Sequence, residues 1–593
     1  VASKSGVFER LAGLETEYAV SVRPLPGSSS SAFTPPTKLE IYERVLTSLS
    51  RRLPAVRAYH LKEGAFLATG GAIWFEANRL TSGGLLEGAT PECRTPGDVV
   101  AYQRAQDRLL EAAVEEAGVD CEIRLIKNDR DAQNNIYGAQ ENYEAEFARG
   151  VWLALWRVGL VALLPLMLLT WLGVAGLFVI SFAYELLATG VVIPLGDLLL
   201  PRGLMGRMLL GVDRIERRAF GAPWPAWLET VMLFFEKAVT GPLALALYGL
   251  LLVTGFRNVR RRLLPFLISR PIIAGAGMLD GDGRFLIADK GPAINGILGY
   301  GGFFHGRPIV LLGEFYKRLA QDALFAPQDF LDLFQPRQRL QLGIGDSNMC
   351  ATAEWLRVGT TMLVLDCLEA GELPEPPKLR RPISALRAIC ADSELGLRID
   401  TTSGRCTALE LQRFYCNACR RFLARREQVP AEAQQLVEAW EDTLDALELN
   451  PRALVGRLDW VTKRFLLETA SADASWESLK KIDLKYHELS AEGYFRLLAA
   501  EFEERTPVTE EAVERAMRMP PADSPASMRG RLIREFVGGD EPLAVNWRMV
   551  RIGHGASARL YRLTEFRSDS SDVDSRRRER SPEWLDDVDG SSE

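Results

Sequence analysis

The chemistry open to this chain is most legible at Gly13-Leu-Glu-Thr-Glu-Tyr-Ala-Val20, where carboxylates alternate with other side chains. Read as a strand, the stretch puts Glu15 and Glu17 on one face, because successive side chains point to opposite faces. Two like charges so placed repel each other unless a cation sits between or beside them. Carboxylates on a rigid strand make a platform for a hard cation such as magnesium and, through it, for phosphates. The same alternation also describes a solvated sheet face. Two more carboxylates follow: Glu76 ends Ile73-Trp-Phe-Glu76, and Glu87 opens Glu87-Gly-Ala-Thr-Pro-Glu-Cys93. Further on, Gly345-Asp-Ser-Asn-Met349 joins a strand-like run to a long apolar helix, and by itself reads as a turn with a helix cap. Only four histidines occur, and none form a metal-spaced cluster. Catalysis therefore falls to carboxylates, arginines and a cation.

The elements that must position these residues read as α+β. The chain has 593 residues and a net charge of −7, length for roughly three or four domain-sized units. A mildly acidic balance gives no electrostatic case for nucleic acid. Cys416 and Cys419 have no second pair at zinc-site spacing and read as buried small side chains. Strands are expected over 8–23, 65–77 with a break at Gly70-Gly71, 122–128, 285–288, 307–312 and 339–344. Helices are expected over 38–52 (on Leu39, Tyr42, Val45, Leu46 and Leu49), 96–117, 353–368, 408–463 with breaks at Pro430 and Pro451, and 482–500. A smaller module over 501–566 ends in strands at 543–550 and 558–563. The tail, 567–593, is rich in Ser, Asp and Arg without apolar periodicity and reads as disordered.

Between these parts lies a composition of another kind. Residues 158–184 form a run of 27 without a charge, and 238–256 a second of 19. At about 1.5 Å per residue the first spans about 40 Å, enough for a tilted crossing of a bilayer core of about 30 Å. Two membrane-crossing helices are thus expected within an insertion over 149–262. Arginines precede the first run (Arg149, Arg157) and follow the second (Arg257, Arg260, Arg261, Arg262), which puts both flanks on the cytoplasmic side of the inner membrane. The piece between them, 185–237, carries arginines that suit an interfacial or re-entrant stretch. An even number of crossings returns the chain to the side it left, so segments before and after the insertion can build one domain.

An ordered set of motifs then points to a family. It comprises Gly13-Leu-Glu-Thr-Glu-Tyr, Ala89-Thr-Pro-Glu-Cys93, Tyr137-Gly-x-x-Glu-Asn-Tyr143, Leu264-Pro-Phe-Leu, Gly275-Ala-Gly277, Gly345-Asp-Ser-Asn-Met349 and Leu356-Arg-Val-Gly359. Thr407-Ala-Leu-Glu-Leu-Gln412, Leu458-Asp-Trp-Val-Thr-Lys463, Lys481-Ile-Asp-Leu-Lys-Tyr-His487 and Asn546-Trp547 complete it. Together these resemble the Pup ligase and Pup deamidase/depupylase family, proteasome accessory factors with a glutamine-synthetase-like fold. The resemblance implies an antiparallel sheet with helices, its first part in 1–148 and its second in 263–500, then the small C-terminal module. It also implies ATP- and magnesium-dependent chemistry on the C-terminal glutamyl group of a small Pup-like modifier. That chemistry is either ligation to a lysine of a target protein or hydrolysis of a terminal glutamine or isopeptide. By position Glu15 and Glu87 match metal ligands, Glu17, on the same strand face as Glu15, is read as a third metal residue, Glu76 falls at the catalytic carboxylate, and Thr90 and Trp547 match nucleotide contacts. The insertion is foreign to the pattern.

Several departures cut against turnover. Ala72 stands where an ATP-binding arginine is expected, removing a guanidinium that would offset phosphate charge. Trp74 replaces a tyrosine ligand and offers no oxygen. Glu76 in place of aspartate adds a methylene, about 1.5 Å of reach, to a general base. Five extra residues separate Glu76 from Glu87, Gln140 replaces a histidine, and Val310-Leu-Leu-Gly-Glu314 carries no arginine before Arg318. The alternative reading is therefore a membrane-anchored pseudoenzyme or scaffold that binds modifier or nucleotide without reaction.

Overall fold

The computed structural model describes residues 6–563 except 26–32, 60–61, 78–83, 129, 131–135, 200–203, 211–225, 302–305, 324–326, 471–472, 500 and 503–507. The tail beyond 563 lies outside the described residues. The chain forms two compact units: 1–143 with 265–292 and 344–593, and 144–264 with 293–343. The first unit is thus assembled from segments on both sides of the apolar insertion.

Its sheet is built from β1 (Ala12–Pro24), β2 (Ala55–Arg57), β3 (Gly64–Leu67), β4 (Ala72–Ala77), β5 (Gly84–Ala89), β6 (Cys121–Ile126) and β7 (Ala139–Glu146). The order is β7-β1-β5-β4-β3-β2, and every pairing is antiparallel. β1 is long enough to serve three partners: its first half pairs with β5 and β7, and its second half, Ala19 to Pro24, with β6. Strict alternation of buried and half-buried residues along its first half follows from one face being core and the other holding the carboxylates. Two helices cover the buried face. α1 (Lys38–Arg52) starts at a Thr37–Glu40 capping box and buries Ile41, Tyr42, Val45, Leu46 and Leu49. Leu39, assigned to its apolar face from spacing, is exposed, and Ile41 takes that place. α2 (Pro96–Ala117) opens with Thr95 as cap and Pro96 in its first turn.

The segments after the insertion lock onto this sheet through buried charges. Arg270 makes a bidentate pair with Glu141, at 2.6 and 2.8 Å. Asp346, from the Gly-Asp-Ser-Asn run, accepts the backbone N–H groups of Ala276, Asp289 and Lys290 at 2.8, 2.9 and 2.9 Å. That run is therefore a clasp and not the expected helix cap: the helix that follows, Ala351–Glu369, has Cys350 at its start and no side-chain cap. The helices over 408–463 break at both expected prolines. The helix expected over 482–500 is interrupted: Trp476–Tyr486 ends, Glu488–Leu489 pairs with β6, and a turn at Ser490–Gly493 precedes Tyr494–Ala499. The strand expected over 543–550 is a hairpin, Leu543–Val545 and Met549–Ile552, because the Asn546 side chain accepts the N–H groups of Arg548 and Met549 and turns the chain.

The second unit holds two long apolar helices, Val151–Leu187 and Ala226–Thr254, running antiparallel. Bare glycines let them approach: a Cβ on Gly159 would lie 2.5 Å from Leu250, and one on Gly173 2.5 Å from Val239. The residues over 293–343 brace part of the pair, with the Trp156 and Trp171 indoles donating to Leu333 and Ala320 carbonyls at 2.7 and 2.8 Å. Strands Gly296–Gly299 and Pro308–Leu311 run parallel, and Pro308–Leu311 pairs antiparallel with Arg337–Leu342. This corrects the antiparallel sheet that the resemblance implied: the sheet is mixed, with one parallel pair among the described strands. Val151–Leu195 and Trp227–Thr254 are long and apolar enough to cross a membrane, and only 17% and 33% of their most apolar windows are buried.

Candidate functional site: an acidic face on the sheet

Register decides which carboxylates meet. Glu17 lies opposite Glu87, Glu87 opposite Trp74, and Glu15 opposite both Ala89 and Gln140. Glu76 is two residues beyond Trp74 on the same face. Carboxylate oxygens of Glu17, Glu76 and Glu87 come within 4.8 Å of one another. Glu15 is the diagonal neighbour of Glu87, close enough for its charge to raise the Glu87 carboxyl. Glu87 is buried, Glu15 and Glu17 are half-buried, and Glu76 is exposed.

Burial pushes the Glu87 carboxyl well up; the Lys62 ammonium opposes this, and Glu15, Glu76 and Glu17 add to it. Glu17 is pushed up to about 7 by burial and then by Glu76, against Lys290, the Gly138 N–H and Lys62. The Gly138 N–H donates to Glu17 at 2.5 Å. Lys62 donates to Glu87 at 2.5 Å and to Glu76 at 3.3 Å. Burial lowers the Lys62 ammonium, but the charges of Glu87 and Glu76 outweigh it and leave it raised. Neither Lys62 nor Lys290 stands out in the sequence. Lys62 precedes β3, and only the pairing of β3 with β4 carries it to the cluster; Lys290 is delivered by the Asp346 clasp.

The remaining expected site residues are placed as follows. Thr90 is buried, and its hydroxyl accepts the Leu14 N–H at 2.9 Å, so it fixes β1 against the end of β5. Trp547 is half-buried, edge-on to Phe66 at 4.9 Å and beneath the Arg529 guanidinium at 4.6 Å. Arg529 is fully buried and also bonds Glu92 and the Gly70 carbonyl. Ala72 is sealed in the same apolar cluster, with Phe66, Trp74, Leu532 and Val550. Trp74 lies across the bare Cα of Gly64, where a Cβ would fall 2.0 Å from its ring. Gln140 sits beside Glu15 on the acidic face.

Three carboxylates whose oxygens lie within 4.8 Å of one another fit magnesium in donor type, as the hard oxygen ligands it takes. The fit has a rival, since two of the three oxygens already hold the Lys62 ammonium.

Comparison with known proteins bears on the family and the fold. The family model described as Pup-ligase protein matches residues 10–551. A Pup–protein ligase of Acidimicrobium ferrooxidans is 26% identical over 579 residues, covering 95% of this chain and 97% of that protein. A depupylase of Acidothermus cellulolyticus is 31% identical over 307 residues, covering 50% of this chain and 58% of that protein. The ligase PafA, solved in complex with Pup, superposes with a TM-score of 0.61 at 18% identity, covering 100% of this chain and 99% of that one. PafA in complex with ADP gives 0.57 at 19%, covering 93% and 96%. At those identities the superpositions establish the fold. With the family model spanning nearly the whole chain, and with the acidic face assembled from the segments that carry its motifs, the chain belongs to the Pup-ligase family.

Proposed function

We propose that the chain is a membrane-tethered enzyme that acts with ATP and magnesium on the C-terminal glutamyl group of a small Pup-like modifier. The observation that carries this reading is the convergence of Glu17, Glu76 and Glu87, with Glu15 beside them, on one sheet face. In the ligase direction, the modifier's side-chain carboxylate takes the terminal phosphoryl group of ATP. A target lysine amine then attacks the acyl phosphate, forming the isopeptide bond and releasing phosphate. In the hydrolytic direction, water attacks a terminal glutamine amide or the isopeptide and releases ammonia or the lysine amine.

Glu76, the exposed member of the cluster, would take the proton from the attacking amine or water. Glu17 and Glu87, with Glu15 beside them, would hold magnesium, which when bound offsets phosphate charge; Glu76, the third carboxylate of the group, is kept for the proton. Thr90 positions β1, and Trp547, half-buried beside Arg529, is the ring assigned to the nucleotide. PafA has been solved with Pup and with ADP, which supports modifier and nucleotide as ligands here. Incubating detergent-solubilised protein with ATP, magnesium and modifiers ending in Glu or Gln tests the proposal. Conjugate or deamidated modifier supports it; nucleotide binding with neither product leaves the scaffold reading. That second reading draws on Lys62 within the cluster, on Trp74 in place of an oxygen donor and on Ala72.

The tether is part of the proposal. Leu168, Leu169, Leu172, Phe178, Val179, Ile180 and Phe182 are exposed on the first long helix, and Trp227, Phe234 and Leu245 on the second. A soluble protein rarely leaves so many large apolar side chains uncovered. Arg257 stacks on Trp152 at 4.1 Å near the arginines that flank both helices, a pairing suited to a headgroup layer on the cytoplasmic side. Protein recovered in the pellet after alkaline carbonate washing supports a tether; full release into the wash overturns it.

A further inference from the structure

We infer that Lys62 is a resident cation of the acidic cluster, so that a divalent ion binds there only by displacing it. The inference deepens the proposed function and rests on its assignment of the cluster as the cation site. The Lys62 Nζ lies 2.5 Å from Glu87 Oε2 and 3.3 Å from Glu76 Oε2. A magnesium ion takes its oxygens at about 2.0–2.1 Å. An ammonium nitrogen 2.5 Å from Glu87 Oε2, inside the cluster, fills the volume such an ion needs, so the two exclude each other.

The lysine is held there by its neighbours. The Glu63 carbonyl, next in sequence, accepts the Phe75 N–H at 2.9 Å, and the Glu63 carboxylate pairs with Arg57 at 2.5 Å. The first contact pins the segment to β4, one residue from Glu76, and the second ties it to the end of β2. Gly64 follows, and its missing side chain admits the Trp74 ring. The Trp74 ring centroid is 6.0 Å from the ammonium, at the outer reach of a cation–π contact. Two features thus belong together. Where the family resemblance leads one to expect a neutral oxygen ligand, this chain has an indole that cannot coordinate. Where an ion would sit, it has an amine. A single positive charge stands in for two, and Lys290 supplies a second nearby that lowers the Glu17 carboxyl.

Electron paramagnetic resonance of free manganese, titrated into the detergent-solubilised full chain without nucleotide, tests this. Lys62→Met is expected to bind manganese at least about tenfold tighter than the parent, and Lys62→Arg no tighter than the parent. Thermal melting gives the companion readout: Lys62→Met melts lower in chelator and recovers with manganese, whereas the parent is indifferent to it. Lys62→Gln, which keeps a donor for Glu87, takes the place of the methionine variant if that one does not fold. Equal manganese affinity in parent and variants, or none in any, overturns the inference. Because binding is read without turnover, a variant that gains manganese yet processes no modifier sustains the inference and defeats the enzymatic reading alone.

Discussion

Glu141→Gln is the perturbation that probes the assembly most sharply. Glu141 and Arg270 stand 129 positions apart, on opposite sides of the apolar insertion, and both are buried. Burial raises the Glu141 carboxyl, and the Arg270 and Arg357 charges outweigh this and hold it below the usual range. The glutamine keeps an acceptor for the Tyr143 hydroxyl, which donates to Glu141 at 2.6 Å, but strips the charge facing Arg270. Breaking a buried pair by removing one partner costs about 3–5 kcal/mol, and the retained acceptor puts this change at the lower end, about 3. Adding Arg270→Met removes the uncompensated cation; Thr361, a second partner of Arg270, still donates to the Arg357 carbonyl. The double variant should return to within about 1.5 kcal/mol of the parent. Native-state hydrogen exchange of the β7 amides is the assay, and about 3 kcal/mol corresponds to roughly a hundredfold loss of protection. A loss under about fivefold in Glu141→Gln, or no recovery in the double variant, would refute the joining of the two segments through this pair.

Two further substitutions carry expected outcomes. Glu17 has a folded value raised to about 7, so the folded state holds its proton longer than the unfolded chain. That contribution is full below the unfolded value and is lost as pH rises through about 7. In chelator, Glu17→Gln should therefore be more stable than the parent by about 1–2 kcal/mol at pH 8, with the gap closing below about pH 5; half-burial is the reason for the modest figure. Urea midpoints at the two pH values check it, and a gap that widens on acidification contradicts it. Thr90→Val removes the acceptor of the buried Leu14 N–H and should cost about 1–3 kcal/mol; an unchanged melt would deny Thr90 its role in fixing β1.

The sequence made the acidic face legible because a strand's period is two: Glu15 and Glu17 had to share a side, and the motifs brought Glu76 and Glu87 to them. What it could not show was register. Lys62 joins the cluster only because β3 pairs with β4 so that Gly64 faces Trp74, and no local pattern encodes that pairing. The Asp346 run read as a cap because its partners, Ala276, Asp289 and Lys290, are distant in the chain. The long apolar runs announced helices, but not that 293–343 would brace them, since Trp156 and Trp171 reach carbonyls more than a hundred residues away. Short turns escaped for a related reason: the Asn546 side chain and the turn at Ser490–Gly493 override runs whose hydropathy continues through them.

The account turns on Glu76 doing proton work at a cation-held glutamyl group. Intact-mass analysis of a Gln-terminated and a Glu-terminated modifier, incubated with ATP, magnesium and either the parent or Glu76→Gln, addresses it directly. The account predicts that the parent changes at least one modifier, by deamidation or by attachment to a lysine, and that Glu76→Gln changes neither. A product formed equally by both proteins, or by neither, would contradict it.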